Sequence, residues 1–518
     1  MGSRINNHVS EFERDPISNK ELIGYNMAAL PGAFFGGFLG QIQAFYIKWL
    51  GLQPIFIIIG QVIYAIWNVV NDPIFGVLQD RTKTKEGRYI PWIKYCAPLF
   101  TISFILVFFP PSTWGPVVAT TSQVTLFAWY LITQIVYDTF FTIVYLAHVA
   151  LLPQMTMASR ERTKVAAIYG FLALIGGIAS GGLPLIFLQG AVDITKIRAF
   201  QIFVIVFGLL ALIPWIFVVK WVKERQEYLP EENVPFFQAA SAIFKLENEW
   251  NVPGISYVIY DGISVGILNI LLSGLVFMID WLLGQVAYNP DSSWTSYLYL
   301  LGPAIGGIAG VFVQLQIPKK RDIRTAIFIG LACQAAGFFL AFLGALPSKE
   351  APAGVYSPPW NLSLLSIGLG IAFFGLVTDF LYHNPMRGDV IDYDEAVTGE
   401  RSESVYAGVG CIFSKPMISF ALIIVPIVMS AFGLDPPDPI NPGDTGYKVV
   451  GTFPSALTGV SVATLLIPSI LATIGLIAWY FYPLDRAKLE GIHEQLEEVH
   501  ARKRKERLSD DGRSRFIK

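Results

Sequence analysis

Residues 53–92 read QPIFIIIGQVIYAIWNVVNDPIFGVLQDRTKTKEGRYIPW, and this stretch decides how the chain folds. Its first part is almost wholly apolar and exceeds the roughly 20 residues that a helix needs to cross the hydrocarbon layer of a bilayer. A short basic segment follows, and the chain becomes apolar again from residue 89. An apolar segment that ends at a basic loop is typical of a transmembrane helix whose end faces the cytoplasm.

The composition of the whole chain agrees with a membrane protein. Of its 518 residues, 53% are hydrophobic and only 15% are charged, whereas soluble domains carry about 25% charged residues. The net charge of −2 argues against a nucleic-acid partner, because such a partner needs a concentrated basic face. The cysteines lie in apolar stretches at unrelated spacings, so we expect neither a disulfide framework nor a metal site at Cys96, Cys333 and Cys411.

Eleven other apolar segments meet the same length criterion, which predicts an all-α membrane protein with twelve transmembrane helices. A polar stretch separates the first six from the last six, so we expect two six-helix lobes. Residues 1–20 are polar and lack the apolar core of a cleavable signal peptide, so the first span is expected to direct insertion. The predicted spans are 22–50, 53–79, 89–110, 118–152, 164–189, 197–222, 252–285, 293–317, 324–346, 360–386, 404–433 and 456–483.

Lysine and arginine concentrate in the loops that follow the even-numbered spans. The positive-inside rule therefore predicts a plasma-membrane protein with both termini in the cytoplasm. The polar loop 223–250 separates the predicted N-terminal lobe, 1–222, from the C-terminal lobe, 251–484. The tail 485–518 is charged and has the pattern of a cytoplasmic helix.

Two stretches at matching positions of this topology resemble one family. NDPIFGVLQDRTKTKEGRYIPW, residues 71–92, is similar to the helix-two and loop signature of the glycoside–pentoside–hexuronide:cation symporters, the melibiose-permease-like branch of the major facilitator superfamily. GDVIDYDEAVTGERSESVYAG, residues 388–408, resembles that family's loop after helix ten, and Lys415 stands at the position of its intramembrane lysine. The resemblance implies the major facilitator fold. It also implies alternating-access symport of a sugar, glycoside or related small organic solute, coupled to Na⁺ or H⁺.

Span two carries a polar face. Asn68, Asn71 and Asp72 stand at i, i+3 and i+4 and so share one side of a helix. A carboxylate at mid-membrane costs about 2.5–3.5 kcal/mol on insertion scales, so it needs a function or a partner. Carboxylate and amide oxygens are ligands for a hard cation such as Na⁺. A carboxylate alone also binds H⁺, and neighbouring helices can satisfy a buried acid by hydrogen bonding.

The resemblance assigns cation coupling to this face. The family's cation site uses two helix-two carboxylates four residues apart and a helix-four threonine; Asp72 and Thr142 match, whereas Asn68 replaces the first carboxylate. The missing charge leaves Na⁺ binding, H⁺ binding and uncoupled transport open. Lys415 needs an acidic partner to stay charged within the membrane, and we expect Asp72 or Asp138 to balance its charge.

Other polar residues within the spans are candidates for substrate binding. Asp138, Thr142 and Tyr145 share a face of span four, and Asp379 and His383 lie one turn apart on span ten. These residues either line a substrate cavity or join helices through hydrogen bonds, and His383 could also relay protons. The candidate substrate contacts are Trp67, Asp138, Tyr145, Asp379 and His383.

The resemblance leaves the substrate class open. Sugar recognition in melibiose-permease-like proteins uses acids on helices one and four and a helix-five arginine, and an ungapped alignment places Gly32, Tyr145 and Gly170 there. We therefore expect no galactoside transport, because a polar site loses specificity without those groups. The superfamily also includes lysolipid symporters, so the alternative is an uncoupled facilitator or a transporter of lysolipids or other amphiphiles.

The loop after span two is predicted to act either as a conformational latch or as a static topology signal. Gly76 is expected to let two helices approach closely, and the full latch set is Gly76, Asp80, Arg81, Arg88 and Arg401.

An enzyme is not expected, because the five histidines are scattered and neither HExxH nor GxSxG occurs. We expect no cofactor beyond Na⁺ or H⁺ as coupling ion. The expected partners are a small-molecule substrate and the lipid bilayer, and the protein is expected to be a monomer.

Overall fold

A computed structural model of the protein describes most of the apolar segments and many of the loops between them. In these parts the chain is helical apart from loops and two short two-stranded ribbons, β1–β2 (Lys245–Leu246 and Glu249–Trp250) and β3–β4 (Leu434–Asp435 and Lys448–Val449). The described residues are 17–115, 122–155, 159–188, 192–224, 244–246, 249–282, 301–348, 359–398, 403–435, 448–450 and 452–496.

Twelve helices in the described part of the chain occupy the positions of the twelve predicted spans, which confirms the all-α fold. Ten are long and apolar enough to cross a membrane, and α5 and α8 contain shorter apolar stretches. In chain order the helices are α1 (Asn19–Trp49), α2 (Pro54–Asp80), α3 (Ile90–Val107), α4 (Gln123–Met155), α5 (Ser159–Gly182), α6 (Ile194–Trp221), α7 (Val252–Leu282), α8 (Leu301–Gln314), α9 (Ile323–Ala345), α10 (Leu362–Thr398), α11 (Glu403–Ala431) and α12 (Phe453–Tyr480).

Capping side chains set where several helices begin. Ser18 accepts a hydrogen bond from the backbone N–H of Glu21, and the Glu21 carboxylate accepts one from the N–H of Ser18, so the two form a capping box at the start of α1. Asp193 and Asp322 cap α6 and α9 without a reciprocal partner, and each accepts a hydrogen bond from a backbone N–H of the first turn. Caps of this kind are worth about 1 kcal/mol each, because they satisfy donors that the helix leaves unpaired.

The two sides of α2 show how a span is oriented. One side exposes apolar side chains on the protein surface, among them Ile55, Ile59, Val62, Ile66 and Val70. The opposite side buries Gln61, Tyr64, Asn68 and Asn71. Hydrocarbon offers no hydrogen-bond partners, so the polar side must face the interior of the helix bundle. The predicted coupling residues therefore lie inside the protein.

Most helix contacts form within each half of the chain. In the first half, α1 packs against α5 and α6, and α4 packs against α2 and α3; in the second, α10 packs against α8 and α9, and α12 against α7 and α9. The halves meet along an inter-half seam, where α2 contacts α11, α1 contacts α7 and α5 contacts α10. Transporters built from two repeats hold their substrate at such an interface.

Glycine is required where α8 and α10 cross. A Cβ at Gly306 would lie 1.9 Å from the backbone oxygen of Gly370, and a Cβ at Gly302 would lie 2.1 Å from the backbone oxygen of Ser366. The spacing of four residues matches the small-xxx-small pattern of closely packed membrane helices. This contact ties α8 firmly to α10 within the second half.

Several helices extend beyond the predicted spans. α10 continues to Thr398, although the span was predicted as 360–386, because apolar length indicates where the membrane is crossed but not where the helix ends. Residues 486–496 of the tail form a further helix, α13, whose Leu489 and Ile492 pack against the buried cluster that contains Val390 and Tyr482. His493 Nε2 lies 3.2 Å from Asp392 Oδ2 of α10. Residues 497–518 of the tail and 225–243 of the central loop lie outside the described residues.

Candidate cation and substrate site

A buried hydrogen-bonded cluster joins α2 to α4. Asp138 of α4 accepts hydrogen bonds from the Tyr64 hydroxyl at 2.9 Å and from Asn71 Nδ2 at 2.6 Å. Asn71 Nδ2 also lies 3.2 Å from the Thr142 hydroxyl oxygen. The structure therefore places Asp138 with the predicted cation-coupling residues, although the sequence suggested that it contacts substrate.

Asp72 connects this cluster to the other half of the chain. Its Oδ1 accepts hydrogen bonds from the Thr142 hydroxyl at 3.0 Å and from Lys415 Nζ of α11 at 2.6 Å. The side chains of Asp72 and Lys415 are 23% and 13% exposed. Of the two predicted acidic partners for Lys415, the structure pairs it with Asp72. This ion pair crosses the inter-half seam where α2 meets α11.

Two amide oxygens in the same region are buried without a donor. Neither Asn68 Oδ1 nor Asn71 Oδ1 has a hydrogen-bond partner among the described residues. Leaving a buried acceptor unpaired typically costs about 1–3 kcal/mol, so such oxygens suggest a ligand. A hard cation prefers oxygen ligands, and the carboxylate of Asp72 and the hydroxyl of Thr142 would add two more.

The predicted substrate contacts of the second half are engaged by neighbouring helices. Asp379 accepts hydrogen bonds from the Tyr260 hydroxyl of α7 at 2.7 Å and from Gln334 Nε2 of α9 at 3.2 Å. His383 Nε2 lies 3.3 Å from Asp261 Oδ1 of α7. Both residues therefore hold helices of the second half together in this conformation. A role in substrate binding remains a proposal.

Tyr145 and Trp67 differ in how their polar atoms are paired. The Tyr145 hydroxyl donates to the backbone carbonyl of Ala28 at 3.0 Å. A Cβ at Gly32 would lie 2.5 Å from this hydroxyl, so Tyr145 fills the space beside Gly32. Trp67 Nε1 is buried and lacks an acceptor among the described residues. Trp67 is therefore the better placed of the two to donate to a bound solute.

The structure describes only part of the predicted latch, and the contacts of these residues are as follows. A Cβ at Gly76 would lie 3.6 Å from Leu146, which is an ordinary contact, so the expected close helix approach at Gly76 is wrong. Arg81 is exposed. The backbone N–H of Arg88 donates to Glu224 at 2.6 Å, as do those of the next two residues, so Glu224 caps the start of α3 within the first half. Arg401 and the side chain of Asp80 lie outside the described residues.

Sequence reasoning missed three hydrogen-bond donors of the site. Tyr64 precedes Asn68 by four residues and Asn71 by seven, so extending the polar face of span two by one turn would have found it. Tyr260 and Gln334 carry no such signal, because they reach Asp379 from other helices.

Comparison with known proteins agrees with this fold. The chain is 23% identical over 499 residues to an uncharacterized symporter of Synechocystis, with 83% of this chain and 88% of the relative covered. It is 21% identical to a lactose permease of Lactobacillus helveticus (89% and 70% covered). It is 20% identical to an isoprimeverose transporter of Lactiplantibacillus pentosus (91% and 89% covered).

Solved structures support the fold alone. The xylose transporter XylE of E. coli, in a partially occluded inward-open conformation, superimposes with a TM-score of 0.54 at 11% identity, covering 92% of this chain and 99% of that one.

Residues 24–486 match the family described as MFS/sugar transport protein. This match spans all twelve helices and both halves of the seam. The chain is therefore a multi-pass transporter of the cell membrane rather than an enzyme, and it belongs to the MFS/sugar transport protein family, the glycoside–pentoside–hexuronide:cation symporter-like branch of the major facilitator superfamily.

Proposed function

We propose that this protein is a cation-coupled symporter of a sugar, glycoside or related small organic solute, and that Asp72 binds the coupling cation. The observation that supports this most strongly is the ion pair between Asp72 and Lys415 across the seam. A mobile cation that binds Asp72 competes directly with Lys415, so cation binding changes a contact between the two halves. Such a change couples an ion to a movement of the halves.

We propose Na⁺ rather than H⁺ as the coupling cation. A proton needs only the carboxylate, whereas Na⁺ needs several oxygens. Asp72 and Thr142 supply two of them, and the unpaired amide oxygens of Asn68 and Asn71 supply two more. Because position 68 is Asn rather than an acid, Asp72 is the carboxylate of this proposed ligand set, and we expect Na⁺ to displace Lys415 from it.

The solute is proposed to bind in the seam near the membrane midplane. Trp67, Asp138 and Tyr145 would contact it from the first half, and Asp379 and His383 from the second. Two relatives, a lactose permease and an isoprimeverose transporter, support a sugar as the solute. Because Tyr145 occupies the space beside Gly32, we still expect simple galactosides to be rejected.

Uptake into proteoliposomes tests this function. The panel contains pentosides and glucosides together with melibiose, lactose and lysophosphatidylcholine. We expect saturable uptake of at least one of the pentosides or glucosides. Uptake should require an inward Na⁺ gradient and should persist at two pH values when no proton gradient is present. Uptake without any cation dependence would identify an uncoupled facilitator. Transport of lysophosphatidylcholine alone would identify an amphiphile transporter, and saturable melibiose uptake would contradict the predicted pocket.

The orientation of the protein is proposed from the basic loops. Accessible tags at residues 85 and 320 should lie in the cytoplasm, and a tag near residue 440 should lie outside, because lysine and arginine concentrate in the loops around 85 and 320. Labelling of intact cells and of inverted vesicles measures on which side of the membrane each tag lies. Tags at 85 and 440 on one side would contradict the twelve-span topology.

The protein is also proposed to be a monomer, and mass photometry in detergent measures its oligomeric state.

A further inference from the structure

Lys48 and Asp280 form a buried ion pair that the proposed cation site does not use. Lys48 Nζ contacts Asp280 Oδ2, and both side chains are fully buried. Lys48 Nζ also donates to the backbone carbonyl of Leu188 at 3.0 Å, and the indole of Trp49 donates to the same oxygen at 3.0 Å. Removing two charges from water is costly, and a well-packed apolar pair is often at least as stable. Stability alone therefore gives no reason for this pair.

The two residues occupy equivalent places in the two halves. Lys48 lies in a π-helical turn, Phe45–Trp49, at the end of α1, and Asp280 lies in a π-helical turn, Met278–Leu282, at the end of the described part of α7. α1 and α7 are the first helices of their halves, so the pair crosses the inter-half seam. Short π-helical turns inside α-helices occur frequently at functional sites.

Neighbouring contacts close the same part of the seam. Gln41 Nε2 of α1 donates to the carbonyl of Leu272 of α7 at 2.6 Å. Gln43 of α1 donates to the carbonyl of Leu422 of α11. These hydrogen bonds also run from the first half to the second. The described side chains of the seam around Lys48 are therefore buried and joined by hydrogen bonds.

The two ion pairs of the seam lie toward opposite faces of the membrane. α1 and α7 end at the face where α2 begins, which we name the α1/α7 face. Asp72 lies 18 residues after Pro54, or about 27 Å along α2 toward the other face. The side chains of Asp72 and Lys415 are partly exposed, whereas Lys48 and Asp280 are not exposed at all. The described conformation is thus closed at the α1/α7 face.

We propose that the Lys48–Asp280 pair is a latch that holds the transport pathway closed at the α1/α7 face and must break when that face opens. An ion pair suits this task because it is held firmly while dry, yet both charges are hydrated once the halves separate. An apolar pair would instead expose hydrocarbon to water on opening. This latch rests on alternating access as part of the proposed function, but not on cation coupling.

Thiol labelling tests the latch. In a variant whose three native cysteines are replaced by serine, Gln43→Cys supplies a reporter that the closed seam buries. We expect Asp280→Asn to raise the rate of labelling by a membrane-impermeant maleimide from the α1/α7 face by about tenfold, since it shifts the open–closed equilibrium. The charge-reversed pair Lys48→Asp/Asp280→Lys should return the rate to near that of the parent. Glu86→Gln, which breaks an exposed ion pair with Lys94, should leave it unchanged.

A second variant keeps the proposal testable if the single substitution does not fold. Lys48→Met/Asp280→Leu fills the space with apolar side chains and should label as slowly as the parent. We expect its solute uptake to fall about tenfold, because an apolar contact resists opening into water. Unchanged labelling in folded Asp280→Asn, or parental uptake by the apolar pair, would overturn the latch. Since labelling needs no coupling ion, a failure of cation coupling would leave this result intact.

Discussion

Asp72→Asn should abolish accumulation of solute against its gradient while leaving downhill exchange measurable. Asp72 is the acid that Lys415 pairs with across the seam, and it supplies the carboxylate of the proposed cation site. Asparagine keeps the shape and can still accept a hydrogen bond from Thr142, but it no longer attracts a cation. Exchange survives because the proposed solute contacts on α4 and α10 are untouched.

Uptake into proteoliposomes with and without an Na⁺ gradient measures this effect. In the parent, Na⁺ should raise solute affinity by the same factor by which solute raises Na⁺ affinity. This mutual effect should vanish in Asp72→Asn, and Asn68→Asp added to it should restore part of the effect, since one helical turn separates the positions. Asp193→Asn serves as the matched control, because asparagine is an equally good helix cap. Parental accumulation by Asp72→Asn at equal expression would make Asp72 a structural residue.

Lys415→Gln should tighten Na⁺ binding by about tenfold, or about 1.4 kcal/mol, while slowing net transport. The ammonium of Lys415 lies 2.6 Å from the same carboxylate oxygen that the proposed cation site uses. Removing it removes the competitor, so the cation binds more readily. Net transport slows because the unloaded protein then lacks the positive charge that neutralises Asp72 while the halves return.

Calorimetric titration of Na⁺ and a comparison of net uptake with exchange separate the two effects. Exchange, which needs no return of the unloaded protein, should keep most of its parental rate. Lys94→Gln removes an exposed ammonium with its own acidic partner and should change neither quantity. Weaker or unchanged Na⁺ binding in Lys415→Gln would show that Lys415 does not compete for the site.

The helices and the ion pair between Asp72 and Lys415 could be predicted from the sequence, because both follow from the cost of polar groups in hydrocarbon. Apolar length locates the spans, and the same cost makes an acid such as Asp72 and a base such as Lys415 stand out within them. The cost also explains why these two residues were expected to pair, since each needs an opposite charge nearby.

Contacts set by the packing of distant helices could not be read from the sequence. Gly76 was expected to mark a close helix crossing, but the crossing that requires glycine lies at Gly306, where only the positions of α8 and α10 reveal it. Lys48 lies near the end of the predicted span 22–50, and no pattern around it indicated that it would be buried in an ion pair. Its partner Asp280 lies 232 residues away, beyond any local pattern.

α10 is long enough to extend well beyond the hydrocarbon layer of the membrane. The helix has 37 residues and so spans about 55 Å, against a hydrocarbon layer of about 30 Å. The part after His383 is braced by α13, whose Leu489 and Ile492 pack against the cluster that contains Val390. An antibody fragment raised against this braced segment, or a helical fusion that continues it, would supply a fiducial mass for electron cryomicroscopy on the half of the chain that carries α10.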